Sequence, residues 1–117
     1  MGRVFVFGSN KAGRHGKGAA LHALQHCGAI RGIGEGLMGS SYAIPTKDSQ
    51  LRTLPLEEVQ RGVENFLWFA KSHQNLTFDV TPIGCGLAGY KRSQIEPMFA
   101  DMPPNCHFTP SWDEHHD

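Results

Sequence analysis

The chain has 117 residues, 39% hydrophobic and 19% charged, with eleven Lys and Arg against eleven Asp and Glu and seven neutral histidines. That length holds one core, that composition is too apolar for a disordered chain, and a net charge of zero excludes a globally basic nucleic-acid-binding surface. Cys27, Cys85 and Cys106 are an odd set without repeating spacing and make no disulfide framework, and no apolar run approaches the roughly 18 residues needed to span a bilayer. The opening stretch Gly2-Arg3-Val4-Phe5-Val6 is too short an apolar run for a signal peptide, so a reducing cytoplasm with no membrane partner is the expected setting.

Val4-Phe5-Val6-Phe7 is wholly apolar and β-favouring and ends at Gly8, the pattern of a strand covered on both faces. Residues 9–18 read as a polar loop punctuated by glycine. Residues 19–27 predict a helix with Ala20, Leu21 and Leu24 on one side and Gly28 as its stop. Residues 31–41 hold four glycines and no periodicity, which predicts a loop. Tyr42-Ala43-Ile44-Pro45 is the second strand, with Pro45 at its end. Pro55 then opens a helix with Glu57 and Glu58 at its positive end. Its apolar stripe, Leu56, Val59, Val63, Phe66, Leu67 and Ala70, runs to Lys71. Each of the five large side chains in that stripe gains about 1.5–3 kcal/mol gross on burial. Residues 78–83 predict a third strand closed by Gly84-Cys85-Gly86. Ser93 and Glu96 have capping-box spacing for a short helix that Pro97 would interrupt, and residues 105–108 predict a last strand. Strand and helix alternate, as in a small α/β sandwich over residues 1–110 followed by a tail, 111–117.

Two of the strand-to-helix connections are glycine loops, one running from Gly8 to Ala20 and the other from Gly84 to Tyr90. At the carboxyl edge of a sheet such loops aim consecutive backbone N–H groups into one hollow, and a helix N-terminus adds positive potential. Hydrogen bonds to a charged group contribute about 1.5–3 kcal/mol each, so three or four from two loops support a micromolar nucleotide after association costs. Arg14, Lys17, Lys91 and Arg92 flank the loops and would attract phosphate. Known phosphate fingerprints do not fit. Gly34-Glu35-Gly36-Leu37-Met38-Gly39 spells G-x-G-x-x-G without a preceding strand, and the same spelling at Gly84 to Gly89 leaves only 28 residues in which to complete a dinucleotide fold. Lys11 stands where a Walker A loop needs its first glycine. His22 and His26 share a helix face but lack compact metal-ligand spacing, and Cys85 between two glycines reads as a small packing residue before a nucleophile.

The order of these pieces resembles the macrodomains, which bind ADP-ribose. The resemblance lies in a strand ending at Gly8-Ser9-Asn10, then His15-Gly16-Lys17-Gly18-Ala19-Ala20, and later Ile83-Gly84-Cys85-Gly86-Leu87-Ala88-Gly89-Tyr90. Within that class Tyr42-Ala43-Ile44-Pro45-Thr46-Lys47, the following helix and Ile83 to Leu87 look like the terminal ADP-ribose protein glycohydrolases, over roughly residues 3 to 100. The resemblance implies a small three-layer α/β/α sandwich with a mixed sheet, of a reduced phage or bacterial type.

It also implies the site. Asn10, beside Gly8 and Ser9, would touch the distal ribose; His15, Gly16, Lys17, Gly18 and Ala19 would face it and the diphosphate. Ile83, Gly84, Cys85, Gly86, Leu87, Ala88, Gly89 and Tyr90 would close over both, with Thr46, Lys47 and Asp48 alongside. Lys47 would attack the anomeric carbon, which needs a neutral amine. No metal and no cofactor are implied. Two departures stand out. Ala88 occupies the position of the glycohydrolases' acidic residue, for which Asp48 or His15 would have to substitute. The chain also opens at the asparagine-bearing strand, without the upstream strand and acidic residue that recognise adenine in macrodomains. Two functions fit. One is an enzyme removing ADP-ribose from proteins or from acyl or phosphate esters; the other is a non-catalytic binder that reads or sequesters NAD-derived nucleotides. The partner is the nucleotide or an ADP-ribosylated macromolecule, with nucleic acid entering only as such a substrate. An interaction module without a small ligand is the third class.

Overall fold

The computed structural model describes residues 2–115. Its elements are β1 (Arg3–Asn10), α1 (Gly18–His26), β2 (Gly36–Met38), β3 (Ser41–Lys47), α2 (Leu56–Lys71), β4 (Thr77–Val80), α3 (Arg92–Ile95) and β5 (Cys106–Phe108), with 3-10 turns at Glu96–Phe99 and Pro110–Glu114. They form one mixed sheet of order β2-β3-β1-β4-β5, parallel except for β2, which runs antiparallel to β3. No helix among the described residues is long and apolar enough to cross a membrane.

The period-two alternation of the strands divides the core between two faces. Val4, Val6, Tyr42, Ile44, Phe78 and Val80 pack with Val59, Val63, Phe66, Leu67 and Ala70 of α2. Phe7 and Ala43 face the other way, onto Ala20 and Ala23 of α1. The result is the expected three-layer α/β/α sandwich. Gly62, in the middle of α2, brings that helix close to the sheet, since a Cβ there would lie 3.2 Å from Cγ2 of Ile44.

Pairing moves several expected boundaries. β1 does not end at Gly8: Gly8, Ser9 and Asn10 continue opposite Ile44, Pro45 and Lys47 of β3, with a register shift between Ser9 and Asn10. β3 likewise runs two residues past Pro45. The proline is tolerated because β2 pairs only with Ser41 to Ala43 and Thr53 and Leu54 join that edge only at Thr46 and Lys47, so at Pro45 it has no ladder bond to interrupt. β2 itself lies in the stretch expected to be loop; three residues are too few to show a period. β4 is shorter than expected. The last ladder bond runs from the Thr81 N–H to the Val6 carbonyl at 3.1 Å; the Thr81 hydroxyl donates to the same carbonyl at 2.7 Å, and Pro82, which has no N–H to donate, ends the strand.

The short helix α3 is capped at Lys91, with Gln94 returning a bond to the Lys91 N–H, rather than by Ser93 and Glu96. Glu96 instead binds Arg92, and Pro97 turns the chain into the 3-10 segment. The stretch beyond residue 110, expected as a tail, carries Trp112. That side chain is 1% exposed in the main core and donates Nε1–H to the carbonyl of Val80 at 2.7 Å. His116 and Asp117 lie outside the described residues.

Candidate functional site

A cleft of about 830 Å³ opens at the carboxyl ends of β1 and β3. Its wall includes Gly8, Ser9, Asn10, Gly16, Lys17, Gly18, Ala19, Thr46, Lys47, Ile83, Gly84, Gly86, Leu87 and Ala88, so both glycine loops and the end of β3 share one hollow. His15, Asp48, Cys85, Gly89 and Tyr90 are not part of the wall.

The first loop is held from behind. The Asn10 amide donates Nδ2–H to the Arg14 carbonyl at 2.8 Å and accepts the Arg14 N–H on Oδ1 at 2.9 Å. The side chain expected on the ribose is thus a clamp on its own loop. Gly13, at φ +69°, packs so tightly on the 30–34 segment that a Cβ would lie 2.3 Å from the Ile33 nitrogen. Ser9 donates its hydroxyl to the carbonyl of Gly34. His15 turns inward from the cleft. It is 2% exposed, its Nε2 lies 3.0 Å from the carbonyls of both Ile30 and Ile33, and its ring meets Phe7 edge-on. Two carbonyls at one nitrogen require the Nε2–H tautomer, so His15 braces the loop and is not poised as a proton carrier at the cleft.

Backbone hydrogen bonding then decides what the loops can offer. The N–H groups of Lys11, Gly13 and Arg14 are internally bonded, whereas those of Gly16, Lys17, Gly18, Ala19 and Ala20 have no acceptor among the described residues. These are the orphan donors at the start of α1, where the helix dipole is positive. In the second loop the N–H groups of Ile83, Cys85, Gly89 and Tyr90 bond to the carbonyls of Thr81, Pro82, Gly86 and Gly84, which leaves those of Gly84, Gly86, Leu87 and Ala88 without partners among the described residues. The turn is docked on the segment after β3, through Thr53 to the Ala88 carbonyl at 2.9 Å and the Tyr90 hydroxyl to the Leu54 carbonyl. Gly16, Gly18 and Gly86 would project a Cβ into open space, so none of them serves core packing, and Gly18 in addition has a left-handed φ of +58°.

Lys47, paired with Asn10 across the ladder, lines the cleft, and its amine has no hydrogen-bond or ion-pair partner among the described residues. Asp48 does not partner it. Its carboxylate accepts the N–H groups of Gln50 and Arg52, at 2.8 and 2.9 Å, and Nε of Arg52 at 3.1 Å. The Arg52 backbone bond foremost holds its pKa below the ordinary 3.8. Asp48 therefore builds the turn that holds Leu51 at φ +64° on the cleft wall. Of the flanking cations, Arg14 and Lys17 line the cleft while Lys91 and Arg92 do not. Arg92 is engaged by Glu96 at 2.7 Å and the Trp112 carbonyl at 2.8 Å. Cys85 is buried with the main core, the packing role expected of it.

The wall also contains residues not expected at the cleft: Phe5, His22, Leu51, Thr81, Pro82, Ser111 and His115. Alternation puts Phe5 on the same face as Phe7, and His22 lies one turn beyond Gly18. Both signals were present, but neither shows that α1 covers Phe7 completely and Phe5 only in part.

Comparison with solved structures now adds to this geometry. The macrodomain of Mycobacterium tuberculosis DarG superposes with a TM-score of 0.66 at 20% identity, over 90% of this chain and 86% of that one. The fold is that of a macrodomain. Two Bacteroides thetaiotaomicron structures, one described as a protein of unknown function, also superpose, each with a TM-score of 0.60 at 18% identity. They cover 92% and 93% of this chain and 88% and 91% of their own. No family model matches the sequence, and no curated protein matches it.

Proposed function

We propose that the chain binds ADP-ribose or a related NAD-derived nucleotide in this cleft, with the diphosphate between the start of α1 and the Gly86-Leu87-Ala88 turn. The observation that carries the reading is the pair of amide rows, unpartnered among the described residues and set on two separate loops of one cleft wall. Each bond to a charged oxygen contributes about 1.5–3 kcal/mol, and the α1 dipole acts in the same direction. Arg14 and Lys17 add cationic attraction, and no Asp or Glu is found in the wall among the described residues. The macrodomain fold and the loop order seen in the sequence support the same ligand.

Binding without turnover is the primary reading. Ala88 supplies no proton-handling group, Asp48 is engaged with Arg52, and His15 faces the 30–34 segment. The unpartnered Lys47 amine favours a second reading, hydrolysis of an ADP-ribosyl linkage. There the neutral amine would attack the anomeric carbon of the distal ribose and expel the acceptor, and water would then release the sugar. In either case the partner is an NAD-derived nucleotide or an ADP-ribosylated macromolecule, in the cytoplasm.

Calorimetry with ADP-ribose, NAD and cyclic ADP-ribose is the test. Heat of binding with ADP-ribose that weakens by about tenfold or more in Gly86→Val supports the cleft, because a side chain there fills the anion's space. Silence with all three nucleotides at high micromolar concentration overturns it. Turnover of an ADP-ribosylated peptide that Lys47→Ala abolishes would establish the hydrolytic reading; turnover equal in both would remove the lysine from the chemistry.

A further inference from the structure

We infer that this cleft holds its nucleotide without reading the base, so that its ligand class is nucleoside diphosphate-riboses at large. The inference rests on the nucleotide reading above. Discrimination between bases needs a fixed donor or acceptor that the wrong base leaves unpaired. Beyond the phosphate and ribose region the polar side chains of the wall are Thr81, Ser111 and the rings of His22 and His115, and an imidazole presents a donor or an acceptor at either nitrogen according to its tautomer, so it does not fix one edge. Among the described residues the wall contains no Asp, Glu or Gln, and its one amide, Asn10, is held at both ends by the Arg14 peptide. The hydroxyl of Thr81 is committed to the Val6 carbonyl. Ser111 shares a bond with the Thr109 hydroxyl, and a hydroxyl can turn to donate or to accept, whichever edge it meets.

What the wall offers in place of an edge reader is a stacking surface. Phe5 is half-buried on the α1 face of the sheet, and His22 lies over it with ring centroids 4.9 Å apart at 53°. His26 follows at 5.0 Å from His22, extending the row of rings along α1. Phe5 precedes Asn10 by five residues along β1, roughly 16 Å at the strand rise. That separation is of the order of an extended nucleotide reaching from the ribose end to the base. Stacking on aromatic rings accepts any base, because every base has a π face.

The test is calorimetry on the full chain with ADP-ribose and its inosine, guanosine and uridine counterparts, with ribose 5-phosphate as the base-free probe. The purine ligands should agree within about threefold and the smaller uridine ligand within about tenfold, all far tighter than ribose 5-phosphate. His22→Ala, a change at an exposed ring, should weaken every base-bearing ligand by about tenfold and leave ribose 5-phosphate unchanged. A preference of about thirtyfold or more for ADP-ribose over its inosine counterpart overturns base tolerance while the nucleotide reading stands. Affinities indifferent to His22→Ala overturn the stacking surface, and absence of binding by ADP-ribose itself overturns both proposals.

Discussion

Gly34→Ala perturbs the buttress behind the first cleft loop and nothing else. Gly34 does not have a left-handed φ, so the cost is purely steric. An added Cβ would lie 2.1 Å from the carbonyl oxygen of Asn10 and 3.0 Å from the Cα of Lys11. Both are backbone atoms at the end of β1, and the closer is over 1 Å inside the ~3.5 Å of a comfortable contact. The 30–34 segment would have to move away from the strand end. That displacement stretches the Ser9 hydroxyl bond to Gly34 and the bonds from His15 Nε2 to Ile30 and Ile33, both now 3.0 Å. Overpacking contributes about 1–3 kcal/mol of destabilisation and each weakened bond up to about 1 kcal/mol, for a loss of about 2–5 kcal/mol. In a domain of this size the midpoint of thermal unfolding should fall by roughly 10 °C or more. Circular dichroism melts and urea titrations followed by tryptophan fluorescence read this directly, since Trp112 moves from the core to water while Trp68 is exposed in the folded state. Gly86→Ala is the control, since its Cβ meets nothing within 4 Å, and it should stay within about 0.5 kcal/mol of wild type. An unchanged melting midpoint in Gly34→Ala, or an equal loss in both variants, would refute the steric argument.

Trp112→Ala should cost about 3–5 kcal/mol in urea unfolding, because it empties a core position and removes one of the two bonds to the Val80 carbonyl, which the Thr109 N–H still reaches; a loss below about 1 kcal/mol would place residues 110–114 outside the domain. Asp48 has a folded pKa below its ordinary 3.8, so its contribution to stability is present above that value and disappears as pH falls through the lower folded midpoint. A carboxyl titration by NMR should therefore give an Asp48 midpoint under 3.8, and the stability gap between wild type and Asp48→Asn should close in acid; a midpoint at or above the ordinary value would contradict the Arg52 turn.

The candidate site was legible where its chemistry is local. The two glycine loops, from Gly8 to Ala20 and from Gly84 to Tyr90, could be picked out as aiming backbone N–H groups into one hollow, and the row of main-chain donors at the start of α1 follows from the helix boundary alone. Asp48 and His15 depart from the expected roles for one shared reason. Each is a polar side chain whose partner is fixed by a fold-specific approach, Arg52 by the turn that follows β3 and the Ile30 and Ile33 carbonyls by the packing of Gly13 and Gly34. The Gly34 stretch, which fits no phosphate fingerprint, has its first glycine packed on the end of β1.

By itself the sequence determined the features that depend on near neighbours: the apolar runs of the central strands, the stripe of α2 and the glycine bends after β1 and β4. A short-range interaction leaves its trace in adjacent residues, through period, capping and turn chemistry. Only the tertiary structure decided how far β1 and β3 extend, that β2 exists, that Trp112 enters the core and that Phe5 and His22 meet at the cleft. Each of those outcomes depends on a partner many residues away, and a hydrogen bond or a buried contact with a distant residue writes no pattern into the residues beside it.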